Sequence, residues 1–485
     1  MKDNGYNKNI LWEYNSNKIK YKYTKREHII IMKPSTNETP SQTYKMTELG
    51  VLPEEWKVVP LDNKYIEFQN GLWKGKKEPY IKVRVLRNTN FKNDGTIDFE
   101  DVAELDVEQR NFKNREIIKD DIILERSGGG PTQPVGRVVF FEREDQFMYS
   151  FSNFTSRIRI SDKLIIFPKF LFYFLLDFYN QGKTNDIQNR TTGIRNLDFS
   201  RYKQIPIPLP PLPEQQKIAA VLSAVQEAKE KTEAVIAAAK ALKKSMMKHL
   251  FTYGPVSPEE TETVPLKETE IGPMPKDWEV VRLGDVVIKN KGIQRGPWGG
   301  SIKKEIFVSV GYAVYEQGNV ISGNITDFRY FIDKDKFEEL KNFEVKAGDI
   351  LITAAGTLGK LVILPNKIHE GVINQALIRI RIDEQIINKI YFRYLFNLIV
   401  EQGIIDSYSH GATLKNLSSI RVLRNIRIPL PPLPTQQKIA SILSAIDAKI
   451  EAEENKKKAL EELFKSLLHN LMTAKIRVNH LGVTL

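Results

Sequence analysis

The sequence is expected to fold as an α+β protein built twice: two duplicated globular domains with approximate two-fold symmetry, spaced by two long helices that pair as an antiparallel coiled coil. Three observations carry this expectation. The chain repeats itself at a spacing of about 220 residues. Each repeat ends in a long stretch free of glycine and proline with apolar residues in heptads. The interior of each repeat carries short β-type runs bounded by turn residues.

The duplication rests on two pairs of anchors. TELGVLPEEWKVVPL from Thr47 returns as TEIGPMPKDWEVVRL from Thr269, aligning Trp56 with Trp278 and Leu61 with Leu283. PLPPLPEQQKIA from Pro208 returns as PLPPLPTQQKIA from Pro429, differing only where Glu214 becomes Thr435. Between the anchors, Gly71 and Gly75 align with Gly292 and Gly296, and Lys169-Phe-Leu-Phe aligns with Lys389-Ile-Tyr-Phe. The interiors 78–160 and 300–380 share little. A protein that reads two different targets in one geometry would look like this, and drift after duplication would give the same picture. The expected segments are an extension over 1–45, a first domain over 46–207, a proline lead-in and helix over 208–253, a linker over 254–268, a second domain over 269–428, a second lead-in and helix over 429–475, and a tail over 476–485.

In the first domain the β-type runs are Ile81–Leu86, Asp121–Leu124, Arg137–Phe141 and Ser156–Ile160, and in the second Ile350–Thr353, Leu361–Leu364 and Ala376–Ile382. The aromatic-rich stretch Phe170–Tyr179 and its counterpart Ile390–Leu398 fit a buried helix better than a base-stacking platform.

Glu214–Leu250 lacks glycine and proline, and its length would span roughly 55 Å as a helix at about 1.5 Å per residue. Its heptad seam runs through Ile218, Val221, Val225, Ala228, Val235, Ala239, Leu242 and Met246, so it needs a partner helix. The second copy supplies one, with Leu443, Ile446, Ile450, Leu460, Phe464, Leu467 and Leu471 on its seam, interrupted by Glu453 and Lys457. The other reading is that each helix completes the core of its own domain. The proline run Pro206–Pro213 reads as a stiff connector into the first helix.

Composition bounds the function. Lys and Arg number 72 against 60 Asp and Glu, and the net charge of +12 favours a polyanionic partner such as nucleic acid. With no cysteine and six scattered histidines there is nothing from which to build a thiolate or histidine metal site. The longest apolar stretch, Phe170–Leu176, is far shorter than the roughly 20 residues of a spanning helix, and the N-terminus has no signal-peptide pattern, so a cytoplasmic protein is expected. Neither Gly71–Lys77 nor Gly356–Lys360 has the phosphate-loop spacing, and no dinucleotide fingerprint, zinc helix or nuclease carboxylate set is present, so no catalytic residue is assigned.

Three pairs of segments suit DNA contact, through cations for phosphates and polar side chains for base edges. The first is Gly71–Lys77, with Lys74, Lys76 and Lys77, set against Gly292–Gly296, with Arg295 aligned to Lys74. The second is Arg126–Gly130 against Ala355–Lys360, with Arg126, Thr357 and Lys360; tight hairpin turns are the alternative reading. The third is Thr192, Arg195 and Asn196 against Thr413, Lys415 and Asn416, where the same residues would also serve to hold loops.

The repeated IPIPLPPLPEQQKIAAVLSA and IRIPLPPLPTQQKIASILSA, the opening GVLPEEWKVVPL, the stretch GDILITAAGTLGK at Gly348–Lys360 and the Asn-Leu before each proline run resemble the specificity subunits of type I restriction-modification systems, over nearly the whole chain. The resemblance implies two target-recognition domains, each reading one half of a split double-stranded DNA sequence, with the helices setting the spacer. It also implies partners: two adenine-specific methyltransferase subunits and ATP-driven translocase-nuclease subunits. These, not this chain, would hold S-adenosylmethionine, ATP and Mg²⁺. A coiled-coil scaffold without DNA specificity is the alternative. The first 45 residues depart from the family pattern; with nine Lys or Arg against four Asp or Glu they read as a basic arm, a disordered segment or an upstream translation start ahead of Met32 or Met46.

Overall fold

The computed structural model describes residues 43–478 except 73, 74, 76, 131, 192, 193, 298, 299, 408, 411–415, 418 and 419, with only the backbone described for 190, 191, 406, 409, 410, 416 and 417. The expected extension therefore lies outside the described residues as far as 42. From Tyr44 the chain enters a hairpin, Tyr44–Thr47 pairing with Gly50–Pro53.

The chain falls into two compact units, one made of residues up to Glu233 with those from Asn455 on, the other of Ala234–Glu454. Each unit holds one repeat's globular part. In the first unit, strand Lys57–Pro60 of the opening motif pairs antiparallel with Pro206–Leu209, and in the second Glu279–Arg282 pairs with Arg427–Leu430. The proline run is thus a strand partner as well as a connector. Alternate prolines are tolerated there because a two-stranded ribbon leaves every second N–H unneeded.

The central sheet of the first unit has β1 (Ile66–Asn70), β2 (Ile122–Glu125), β4 (Val138–Phe140) and β5 (Thr155–Ile160), with Ser127–Gly129 (β3) leaving it after β2; its order is β1-β5-β2-β4. A small second sheet joins β3 to Gln188–Thr191 (β6) and Ile194–Leu197 (β7) in the order β6-β7-β3. In the second unit β8 (Ile293–Arg295), β9 (Ile350–Thr353), β10 (Leu361–Ile363) and β11 (Leu377–Ile380) repeat the central order as β8-β11-β9-β10. Ile158 lies opposite Ile122 in one sheet and Ile380 opposite Ile350 in the other. Both central sheets are antiparallel throughout, whereas the inserts before β5 and β11 build different side sheets. One helix covers each sheet: α1 (Pro168–Asn180) and α3 (Lys389–Glu401), with α2 and α4 as the long helices Leu212–Tyr253 and Leu433–Met472. Helix α2 has 42 residues, longer than the expected Glu214–Leu250 because Leu212 and Pro213 form its first turn, where proline costs no hydrogen bond, and Phe251–Tyr253 continue its end.

Identical chemistry joins each long helix to its domain. Gln215 accepts from the Phe167 amide at 2.8 Å and donates to the Ile165 and Pro210 carbonyls at 3.0 and 2.8 Å. Gln436 does the same with Asn388, Ile386 and Pro431, at 2.7, 3.1 and 2.8 Å. Both glutamines are fully buried, so each saturates backbone groups that would otherwise be orphaned at about 1–3 kcal/mol apiece. This is the physical content of the repeated Gln-Gln.

Each core is finished by the far end of the other repeat's helix. Leu468, Leu471 and Met472 of α4 join Trp56, Leu61 and Ile158, while Met247, Leu250 and Phe251 of α2 join Trp278, Leu283 and Ile380. In the second unit the helical segments run antiparallel, Lys240 pairing with Glu454 and Lys243 with Asp447, and in the first Glu233 pairs with Lys457.

The seam of α2 differs from the expected one in every second position. Ile218 is buried and Val225 half-buried, but the alternating positions fall one residue later, at Leu222, Lys229, Ile236 and Lys243. Val221 is also buried, whereas Val235 and Leu242 are 42% and 52% exposed and lie outside the seam. Two lysines occupy seam positions. Lys229, only 6% exposed, donates to Asp94, and Lys243 pairs with Asp447. Apolar periodicity therefore pointed one residue off. On α4, Leu443, Ile450 and Leu471 are buried and Ile446, Leu460, Phe464 and Leu467 half-buried, with Glu453 and Lys457 in phase between them.

Candidate DNA interface

The central sheets share a buried arginine–aspartate staple. Arg159 forms a two-pronged contact with Asp121, both hydrogen bonds at 2.7 Å, and also donates to the Glu116 carbonyl. Arg381 grips Asp349 at 2.7 and 3.0 Å and donates to the Glu344 carbonyl. Next to them Arg157 and Arg379 reach the same two carbonyls, and the aspartates accept from the amides of Ile118 and Lys346. Burial, and then the charge of Arg381, push Arg379 down to about 10, so it remains charged at neutral pH. The staple fixes the start of β2 and β9, from whose ends the candidate loops depart.

In the first unit the second and third candidate segments meet, and Asn70, the residue before the first segment, joins them. Arg126 follows β2, and Ser127–Gly129 pairs with β7, setting Arg195 opposite Gly129 and Asn196 opposite Ser127. Ser127 Oγ donates to Asn196 Oδ1 at 2.5 Å. Arg126 Nη1 donates to Asn70 Oδ1 at 2.5 Å, at the end of β1, and its guanidinium lies 4.1 Å from the Phe199 ring centroid. Phe199 is held by the turn of helix that Asp198 caps. Burial lowers the pKa of Arg126. Gly71 follows Asn70 under a steric constraint, since a Cβ there would lie 1.8 Å from the Ser152 carbonyl oxygen. Lys77 is exposed beyond it, while Lys74, Lys76 and Thr192 lie outside the described residues.

The second unit revises the alignment of the first pair. Strand register sets Arg295 opposite Ile378 and Asn70 opposite Ser156, so Arg295 stands where the first repeat has Asn70, not Lys74. Gly296 then matches Gly71; its Cβ would lie 1.9 Å from the Asn374 carbonyl oxygen. A longer turn before β8, with Asn290 and Lys291 at positive φ, accounts for the shift. The same alignment brings Trp73 and Trp298 together in sequence. Ala354, not Ala355, is the counterpart of Arg126, and Thr357 and Lys360 sit exposed in the tight hairpin between β9 and β10, closed by Thr353 accepting from the Lys360 amide. Burial also lowers the pKa of Arg295, whose Nε donates to the Gln375 carbonyl at 3.4 Å. Asn416 pairs through its backbone with His410, and Thr413 and Lys415 lie outside the described residues.

Sequence reasoning missed Asn70, Arg115 and Phe199, and it missed the staple. The repeated Arg-Ile-Arg-Ile at 157–160 and 379–382, with Asp-Ile at 121 and 349, was the available signal. Among the described residues no group of His, Asp or Glu is arranged to hold a metal ion, and no helix is long and apolar enough to cross a membrane.

Known proteins share this organisation. The family model for the type I restriction modification DNA specificity domain matches residues 53–239 and 275–462. The type I restriction enzyme MjaVIII specificity subunit of Methanocaldococcus jannaschii is 30% identical over 450 residues, 89% of this chain and 95% of that one. The chain assigned as the MjaX specificity subunit of the same organism is 29% identical over 439 residues, covering 90% and 97%. Among solved structures, a chain from work on assembly and conformational transition of the type I R-M system superposes with a TM-score of 0.54 at 19% identity over 88% of this chain and 99% of its own. The type I restriction-modification S subunit from M. genitalium gives 0.51 at 17% over 86% and 96%. At such identities the two structures speak to the fold. With the specificity domain matched once in each repeat and over most of its length, the chain belongs to the type I restriction-modification DNA specificity family.

Proposed function

We propose that the protein is the non-catalytic DNA-reading subunit of a type I restriction-modification complex, each repeat recognising one half of a split target. The observation that carries this reading is the pairing of a common frame with unlike inserts: the same four-stranded order, the same staple and the same buried glutamine in both units, around side sheets that differ. Such a frame holds two different reading surfaces in equivalent settings, and the net charge of +12 suits a DNA backbone. A bare coiled-coil scaffold would have no use for either insert. In this reading the segments 46–207 and 269–428 are the target-recognition domains and α2 and α4 set the spacer. Two adenine methyltransferase subunits, with S-adenosylmethionine, and translocase-nuclease subunits, with ATP and Mg²⁺, carry the chemistry in the cytoplasm. Exchanging residues 78–200 for the equivalent segment of a relative tests the reading: one half-site of the methylated motif should change. A change in both halves would sink the idea of independent readers.

A further inference from the structure

Two guanidiniums converge on Asn70. Arg126 Nη1 reaches its side-chain oxygen at 2.5 Å and Ser156 Oγ at 3.4 Å, and Arg115 Nε donates to its carbonyl at 3.0 Å while Arg115 Nη1 donates to the Asn111 carbonyl at 3.2 Å. Among the described residues every hydrogen bond from these two groups goes to a neutral oxygen. Other arginines of the same domain are compensated differently, Arg137 by Glu125 and Arg159 by Asp121. Holding a half-buried cation without a carboxylate is unfavourable, and an incoming anion would relieve it. Arg126 also keeps a buried Nε without a partner.

We propose that Arg115 and Arg126, joined through Asn70, clamp one phosphate of the DNA backbone beside the first half-site, and that Arg295 supplies the equivalent contact in the second repeat. The inference rests on the DNA-reading assignment above and names where the backbone is held. A phosphate fits better than a base edge for two reasons. Reading guanine uses two adjacent N–H groups of one guanidinium, and that pair is impaired in both arginines: Arg126 buries Nε and donates twice from Nη1, and Arg115 has committed Nε and one N–H of Nη1. Nη2 of each makes no hydrogen bond among the described residues, which suits two oxygens of one phosphate. Moreover, the cation persists although its strand changes: Asn70 with Arg126 in one repeat becomes Arg295 with Ala354 in the other. The two half-sites differ in their bases but share a sugar-phosphate backbone, so a feature kept across diverged readers matches what the half-sites have in common. Gly71 and Gly296, neither of which has room for a side chain, directly follow.

The test uses the full chain with its methyltransferase subunits, titrated by fluorescence anisotropy into a duplex bearing the methylated motif and into a scrambled duplex, over a range of salt. The double variant R115Q/R126Q should bind both duplexes at least about tenfold more weakly, as expected for losing hydrogen bonds to a charged group. Its slope of log K against log salt should flatten by roughly 0.9, one phosphate's share, with the same motif still preferred. N70D, which sets a carboxylate between both guanidiniums and removes neither, should reproduce the loss and stands in if the double variant unfolds. Unchanged affinity and slope in a folded variant, or a preference altered at one base pair, would overturn the clamp. If the unaltered complex itself shows no preference for any motif, it is the DNA-reading assignment that fails.

Discussion

The single difference between the two proline motifs, Glu214 against Thr435, makes a sharp test of how the first unit is closed. Glu214 accepts from the Trp56 indole N–H at 3.0 Å and takes Arg477 in a two-pronged contact at 2.7 and 3.0 Å, while Arg477 also reaches Glu55 at 2.6 Å. The side chains of Glu214 and Arg477 are 5% and 7% exposed. Burial opposes the charge of Arg477, but its bonds to Glu214 and Glu55 outweigh that and raise its pKa. Glu214→Thr, which copies the second repeat, strips a buried guanidinium of its buried carboxylate, leaving only the more exposed Glu55, and leaves an indole N–H without its acceptor. Removing one partner of a buried pair costs about 3–5 kcal/mol, a large part of the 5–15 kcal/mol typical of a folded protein. In urea unfolding followed by circular dichroism, the midpoint of the first unit should fall by roughly 1–2 M, taking a slope of about 2–3 kcal/mol per M. Adding Arg477→Met should restore part of the loss, because the stranded charge goes with it. A loss below about 1 kcal/mol, or no recovery in the double variant, would refute the reasoning.

Two further outcomes are expected. Inserting seven residues after Glu233 and seven after Glu454 keeps both seams in phase and lengthens the helices by about 10 Å each. Methylation mapping should then show an altered spacer with unaltered half-sites, and altered half-sites would count against the ruler. The second concerns acid. Burial raises the proton affinity of Asp94, but hydrogen bonds from Lys229 and Thr96 hold its carboxyl below the ordinary 3.8. A folded value below the unfolded one means stabilisation that is complete above about pH 4 and lost as the pH falls through the folded value. Asp94→Asn should flatten that part of the acid-unfolding curve, and superimposable curves for the two proteins would remove the pair from the account.

Much of this architecture could be read from the chain because the duplicated segments are the parts whose chemistry tolerates least change. Trp56 and Trp278 are core residues, and Gln215 and Gln436 each satisfy three backbone groups, so their surroundings repeat almost letter for letter. What stayed hidden has physical causes. Lys229 and Lys243 occupy seam positions through their acidic partners, so an apolar pattern pointed to Val235 and Leu242 instead. The alignment of Lys74 with Arg295 failed because an inserted turn moves the register, which only strand pairing reveals. Asn70, Arg115 and Phe199 are far apart in sequence and ordinary by themselves; their meaning comes from the sheet that gathers them around Arg126. Arg126 and Arg295 stood out by their places in the paired glycine-rich segments, whereas Arg115 lies in the diverged interior and carries no motif that spacing could flag.

The most direct test of the central claim is methylation mapping by long-read sequencing of DNA from cells that express this chain with its methyltransferase subunit, compared with the methyltransferase alone. The account expects a split motif with modified adenines that appears only when this chain is present. Modification that is the same with and without it, although the two proteins are soluble and associated, would contradict the assignment of this chain as the reader.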